Sequence, residues 1–198
     1  MTATSSRLAL ALVAALALAG AATLAGCGSV ATPAAGQAQA FSWLHPSPTS
    51  RGWRVSPLPD SPARLGYPSS WRAIRSDPGT VSAAIRTSGG GIEGYLNATP
   101  QQGDETLSDW GTFRVDHNRK EGDVDVRQLA SAGNLSFRRA HGSCVIDAYT
   151  SSSGHRYREI ACIVAGATAT TVVVGAAPPA HWQQEAPVLE RSISALAT

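Results

Sequence analysis

The sequence predicts an α+β domain: a mainly antiparallel sheet of about six to seven strands with two helices packed on one face. Three observations carry this. Downstream of residue 63 most apolar segments are short, alternating or β-branched, as strands are. Two stretches, 106–121 and 184–196, instead space apolar residues three and four apart, as helices do. The order is three strands, a helix, four strands and a helix, and most connections are of hairpin length.

The chain opens on a targeting segment, residues 1–26. Arg7 supplies the positive start, and Leu8 to Leu18 is an almost unbroken Leu/Ala/Val run. That run is too short and too rich in small residues for a permanent transmembrane helix, which needs roughly 20 strongly apolar residues. It ends in Leu24-Ala25-Gly26-Cys27, which resembles the lipobox of bacterial lipoproteins. The resemblance implies cleavage just before Cys27 and a lipid on its thiol, hence a domain anchored on the extracytoplasmic face of the cell membrane. Residues 27–40 have no apolar periodicity and read as a flexible tether.

Composition limits the partners. Losing residues 1–26 leaves 172 residues of the 198, and losing Arg7 leaves 15 basic against 14 acidic residues. A near-neutral chain with Lys120 as its single lysine has no electrostatic case for nucleic acid. Three cysteines are odd for an exported protein. Lipid on Cys27 leaves Cys144 and Cys162, a pair expected to be oxidised outside the cytoplasm.

Residues 41–62 are a Pro/Trp-rich irregular arm. Phe41, Trp43, Leu44, Trp53, Val55 and Leu58 are too apolar for a pure linker, and His45-Pro46-Ser47-Pro48 and Ser56-Pro57-Leu58-Pro59 exclude a helix or a central strand. Either the tryptophans pack on the domain, or Trp43 and Trp53 stay exposed and meet a membrane or partner.

The α+β domain is placed at residues 63–198. Arg64 to Ile74 reads as an extended segment, a Pro-Ser-Ser turn and the anchor Trp71. Val81–Arg86 and Ile92–Asn97 form a hairpin across Ser88-Gly89-Gly90-Gly91. Thr106 is a fitting N-cap, with Asp109 three residues on. Leu107, Trp110, Phe113, Arg114 and His117 then make one stripe, and Gly122 ends the helix. Val124–Leu129 alternates as a half-buried strand.

Residues 143–150 and 157–164 flank Ser151-Ser152-Ser153-Gly154. A hairpin centred on Ser153 places Cys144 opposite Cys162, Ile146 opposite Ile160, and Tyr149 opposite Tyr157. One register thus pairs the cysteines, matches the apolar residues and centres on the turn, so it predicts a disulfide. Ala169–Gly175 is apolar on both faces and reads as a central, buried strand. The closing helix carries Trp182, Ala186, Leu189, Ile193 and Leu196 on one face, and Pro187 requires it to begin near Gln184.

From residue 63 on the pattern resembles the PsbP-like fold. The resemblance rests on Tyr67-Pro68-Ser69-Ser70-Trp71 opening the domain, the Trp110/Phe113 helix between two groups of strands, the cysteine hairpin and the closing helix. The chain also resembles small actinobacterial lipoproteins of this architecture, and its Ala/Arg/Gly-rich usage is that of a high-GC genome. The resemblance implies a non-enzymatic accessory or binding protein and carries over no binding residues.

No motif supplies chemistry. Gly89-Gly90-Gly91-Ile92-Glu93-Gly94 matches a dinucleotide fingerprint, but a strand follows where the phosphate site needs a helix N-terminus. The five histidines have no metal-ligand spacing, and there is no Cys-x-x-Cys or G-x-S-x-G. His141, Ser143 and Asp147 share a strand face, but side chains two apart on a strand are roughly 7 Å apart, too far for a nucleophile and its base. No catalytic residue, metal or cofactor is therefore assigned. In the hairpin register Asp147 opposes Glu159, which is unfavourable for like charges. Both are expected to face solvent, relieved by Arg127 or Arg158, or to contact a cationic ligand or partner. Arg138-Arg139-His141 and His155-Arg156-Arg158 lie at opposite ends of this hairpin and do not form one patch.

The expectation is a lipid-anchored, extracytoplasmic binding or envelope-assembly module. It would meet the membrane through its lipid and an unknown envelope protein or small ligand through its domain. The alternatives are an envelope hydrolase using Asp147, Glu159 and His141, and a purely structural envelope lipoprotein.

Overall fold

The structure is a computed structural model and describes residues 39–198. Cys27, the targeting segment and most of the tether lie outside the described residues.

Strands β1 (Arg54–Pro57) and β2 (Arg64–Tyr67) pair as a two-stranded antiparallel ribbon. The larger sheet is built from β3 (Arg72–Ile74), β4 (Val81–Arg86), β5 (Ile92–Pro100), β6 (Val124–Phe137), β7 (Ala140–Thr150), β8 (Arg156–Ala165) and β9 (Thr170–Ala177). All seven are antiparallel, in the order β3-β4-β5-β9-β8-β7-β6. Helix α1 (Trp110–Lys120) lies between β5 and β6 in the chain, and α2 (Trp182–Ser194) closes it. β9 returns to the centre between β5 and β8, where a β-branched strand apolar on both faces belongs.

The class is α+β, but the two helices do not share a face. Val145, Ala161, Ile163, Val172 and Val174 pack against Trp110 of α1. Their chain neighbours Cys144, Ile146, Ile160, Cys162, Val164 and Val173 lie in the other cluster, with Leu189, Ile193 and Leu196 of α2. Strand side chains alternate between faces, so the helices flank the sheet. The expectation of both on one face is corrected, and the reason lies in the central strands. β8 and β9 are buried at nearly every position, so both faces need cover.

Phe41, Leu44 and Leu58 are buried in the α2-side core, and Trp43 packs against it while its indole N–H donates to the Ala40 carbonyl (2.9 Å). The arm therefore lies on the domain and contains β1. The compact core reaches back to Phe41, beyond the boundary expected at residue 63.

Several elements differ from expectation at their ends. α1 starts at Trp110, after a turn at 107–109. Asp109 Oδ1 instead accepts from the Thr106 backbone N–H (3.1 Å) and hydroxyl (2.6 Å), which is half of a capping box. The helix ends as expected at Gly122, whose φ of 92° suits the left-handed stop. Asp123 N–H bonds Asn118 O and Gly122 N–H bonds Arg119 O, closing a Schellman motif. α2 starts at Trp182 rather than near Gln184, so Pro187 sits past the first turn. β6 continues to Phe137 through three register irregularities, with Asp125 and Asn134 at φ of 56° and 55°. Ala130 to Asn134 carries no alternation, which is why the continuation is invisible in the sequence.

The β7–β8 register places Cys144 opposite Cys162, Ile146 opposite Ile160 and Tyr149 opposite Tyr157. Cys144 and Cys162 are joined, with a Cα–Cα distance of 4.1 Å. Closing the 18-residue separation contributes about 3 kcal/mol in the chain-entropy model. Reduction is therefore expected to lower the melting temperature by several degrees in a calorimetric scan; identical transitions with and without reductant would count against it.

Candidate functional site

Tyr95 of β5, Ala176 of β9, Glu159 of β8, Asp147 of β7 and Gln128 of β6 stand opposite one another in a single row. Asp147 and Glu159 belong to the α1 side, because Val145 and Ala161, two residues away on each strand, pack there. α1 comes down close on this face. A Cβ at Gly111 would sit 3.1 Å from the Ser131 Cβ and 3.2 Å from Gln128 Oε1, so glycine permits the approach. One turn further on, the helix delivers Arg114 to the row.

Here the largest correction to the sequence expectation appears. Asp147 and Glu159 do oppose each other, but they are buried, at 0% and 1% exposure. Neither Arg127 nor Arg158 relieves them. Those arginines align with Ala148, one residue along, and so face the other side of the sheet. The partner is Arg114. Its Nε donates to Glu159 Oε1 (2.6 Å) and its Nη2 to Oε2 (3.0 Å), a bidentate pair. The Tyr149 hydroxyl also donates to Oε2 (3.1 Å).

Asp147 is treated differently. It accepts one long bond, from Asn118 Nδ2 to Oδ2 (3.3 Å), and its Oδ1 is buried without a partner. Burial, then the charge of Glu159, pushes its carboxyl up to about 8, against a partial opposing pull from Arg114. Asp147 is therefore protonated at neutral pH, and the row carries one carboxylate and one cation. Burial lowers the Arg114 proton affinity, but the charge and hydrogen bonds of Glu159 outweigh it and leave the guanidinium more firmly protonated. Burial and the Glu159 charge likewise raise the Tyr149 phenol, so it remains a donor.

α1 contacts β6, β7 and β8, which leaves the β4–β5–β9 half of this face uncovered. The step between helix and bare sheet is a cleft of about 490 Å³. Trp110, Phe113, Arg114 and His117 form its helix wall, Tyr95, Asn97 and Thr99 its strand wall, and Val172, Val174 and Glu159 its floor. Trp110 is held flat by stacking on Phe113 (5.9 Å, 18°) and by its indole N–H to Ala161 O (2.9 Å). Asn97 Nδ2 donates to Ser82 Oγ (2.8 Å), which fixes the amide. Burial raises the Tyr95 phenol, so it too is a neutral donor. Asp77, Glu105 and Glu121 also line the cleft, so its carboxylates outnumber its cations.

The other sequence candidates do not join this site. Trp43 is in the α2-side cluster, and Trp53 is half-buried in the arm. His141 is exposed and six residues from Asp147 along β7, roughly 20 Å away. Ser143 is buried and donates to the Leu107 carbonyl. Among the described residues no three His, Cys, Asp or Glu side chains converge as metal ligands. Arg114, Asn118, Tyr149, Tyr95 and Asn97 were not identified from sequence. The available signal was Arg114 itself, a permanent charge within an otherwise apolar helical stripe.

No protein-family model matches the chain, and no curated protein matches it. Solved structures do. Over 75% of this chain and 94% of the other, it is similar to the cyanobacterial PsbP protein CyanoP of Synechocystis sp. PCC 6803, with a TM-score of 0.54 at 10% identity. A Pseudomonas aeruginosa protein of unknown function aligns over 74% of this chain and 96% of its own, with a TM-score of 0.49 at 11% identity. LpqN of Mycobacterium tuberculosis, involved in cell envelope biogenesis, aligns over 73% and 90%, with a TM-score of 0.42 at 10% identity. At such identity the likeness to CyanoP speaks for architecture alone, and that architecture, an antiparallel sheet flanked by two helices, is PsbP-like.

Proposed function

We propose that this chain is a non-catalytic binding module, anchored to the outer face of the cell membrane by lipid on Cys27, with its ligand seat in the cleft beside α1. The observation that carries the proposal is the buried Arg114–Glu159 pair at the edge of an open, half-uncovered sheet face. A stable buried ion pair is costly, and replacing such pairs with apolar residues is often neutral or stabilising. Here its polar edge faces a cleft, where a ligand can use it. Binding suits the geometry better than hydrolysis. Glu159 is engaged by Arg114 and Tyr149, and Asp147 lies under Asn118 outside the cleft lining. A two-carboxylate mechanism needs both groups at one substrate.

The excess of carboxylates and the phenol, amide and hydroxyl donors favour a small polar ligand bearing amine and hydroxyl groups. Glucosamine is the probe, with glucuronate as its anionic counterpart. In NMR titrations glucosamine is expected to shift the Trp110 indole signal saturably, and Asn97→Ala with Tyr95→Phe to weaken it at least tenfold. Loss of that response, or equal response to glucuronate, would overturn the ligand class.

Anchoring is tested separately. The lipobox-like Leu24 to Cys27 supports an envelope location, and a binding or assembly role there. Cys27→Ala is expected to move the protein from the membrane pellet to the soluble fraction with an unchanged melting temperature. A variant that stayed in the pellet would rule out the thiol as the anchor point.

A further inference from the structure

The face of the sheet opposite the cleft carries a second concave site. Arg127 of β6, Ala148 of β7 and Arg158 of β8 stand in one row, and Thr150 and Arg156 in the next row of the same face. Ala148 is too small to fill the space between its neighbours. The start of α2 forms the far wall, through Pro179, Trp182 and Gln183. The enclosed groove is about 920 Å³.

Three arginines from two strands thus converge on one hollow. Among the described residues none of the three lies within ion-pair distance of a carboxylate. The acidic groups facing them are Asp125, which accepts from the Thr150 hydroxyl (3.4 Å), and Glu190 of α2, whose charge is felt by Arg158. The Arg158 guanidinium lies over the Trp182 ring, 4.7 Å from its centroid. That stacking fixes the plane of the fork and leaves its N–H edge to bond outward. Its Nε is buried and has no acceptor. A buried donor without a partner calls for one, and a charged donor most of all. The amino-terminal end of α2, at the same wall, adds partial positive charge. Past Arg156 the groove continues into a hollow of about 720 Å³ that adds Arg86 and His155.

The geometry points to a binding site for a phosphate-bearing ligand, held by Arg127, Arg156 and Arg158. Several guanidinium forks approaching from different strands suit a tetrahedral, multiply charged anion better than a planar carboxylate. Exposed Leu129 offers an apolar wall to the remainder of the ligand.

The test uses the full-length chain in maltoside micelles and follows the arginine Nε–H and Trp182 indole signals. Inorganic phosphate is expected to shift the Arg158 and Trp182 signals saturably in the millimolar range or below. The response should fall at least tenfold in Arg158→Gln and in the exposed variant Arg156→Gln, and persist in Arg138→Gln at the far end of the hairpin. Phosphatidylglycerol vesicles distinguish the source. Vesicles that produce the same shifts identify a lipid headgroup, and vesicles without effect identify a soluble phosphate compound. Absence of a saturable phosphate response, an undiminished response in Arg156→Gln, or equal affinity for succinate would overturn the assignment.

Discussion

Asp147→Asn is expected to make the protein more stable at pH 8 than the native chain and to leave it almost unchanged near pH 4. The native carboxyl has an ordinary value of 3.8 when unfolded and is pushed up to about 8 when folded. Between those values the folded state holds a proton that the unfolded state has released. Native stability therefore falls as pH rises through this window, by at most about 1.4 kcal/mol per pH unit for one proton. Below about pH 4 both states are protonated and the difference vanishes. Above about pH 8 the folded carboxylate is ionised beside Glu159, and the penalty is complete. Asparagine has the shape of the neutral acid and keeps an oxygen for Asn118, but it cannot ionise. Its advantage should grow through the window to several kcal/mol, read as the difference between urea midpoints of variant and native chain at each pH. Parallel pH profiles for the two proteins would show that Asp147 ionises as freely folded as unfolded.

Arg114→Met should be the most damaging single change on the α1 face. It leaves Glu159, 1% exposed, with a buried charge and only the Tyr149 hydroxyl as donor. Breaking a buried pair on one side costs about 3–5 kcal/mol. Adding Glu159→Gln removes the orphaned charge and keeps an oxygen for Tyr149. The double variant Arg114→Met/Glu159→Gln should therefore recover most of the loss, although it has fewer polar contacts than Arg114→Met alone. A double variant as unstable as the single would mean that Arg114 acts through packing of its stem rather than its charge. The two predictions also interact. Without Arg114 the cation that partly restrains Asp147 is gone, so its carboxyl should rise further.

Much of the architecture could be read from local pattern. The β7–β8 register followed from the spacing of two cysteines, two isoleucines and two tyrosines about one Ser/Gly turn, because strand pairing preserves a constant sum of residue numbers. β9 was recognised as central because it is β-branched at consecutive positions. Helix ends were legible where a backbone requirement dictates a residue type, as at Gly122, and less so at Thr106 and Trp182. The long irregular course of β6 was missed, since bulges break the alternation by which strands are recognised.

The candidate site divides along the same line. That Asp147 faces Glu159 is a matter of local register, and the sequence by itself determined it, along with the cysteine pairing, the class and the lipobox-like start. Whether the two carboxyls face water or a protein interior depends on which helix crosses which side of the sheet. That was decided by the tertiary structure, when α1 crossed over β6 to β8 and brought Arg114 from 45 residues away to Glu159. The grouping of Arg127 with Arg156 and Arg158 has the same origin, in the pairing of β6 against β7. Register and turns are set by neighbours a few residues apart, and a sequence displays them directly. The ionisation of a buried carboxyl depends on desolvation and on charges supplied by distant segments, which exist only once the layers have packed.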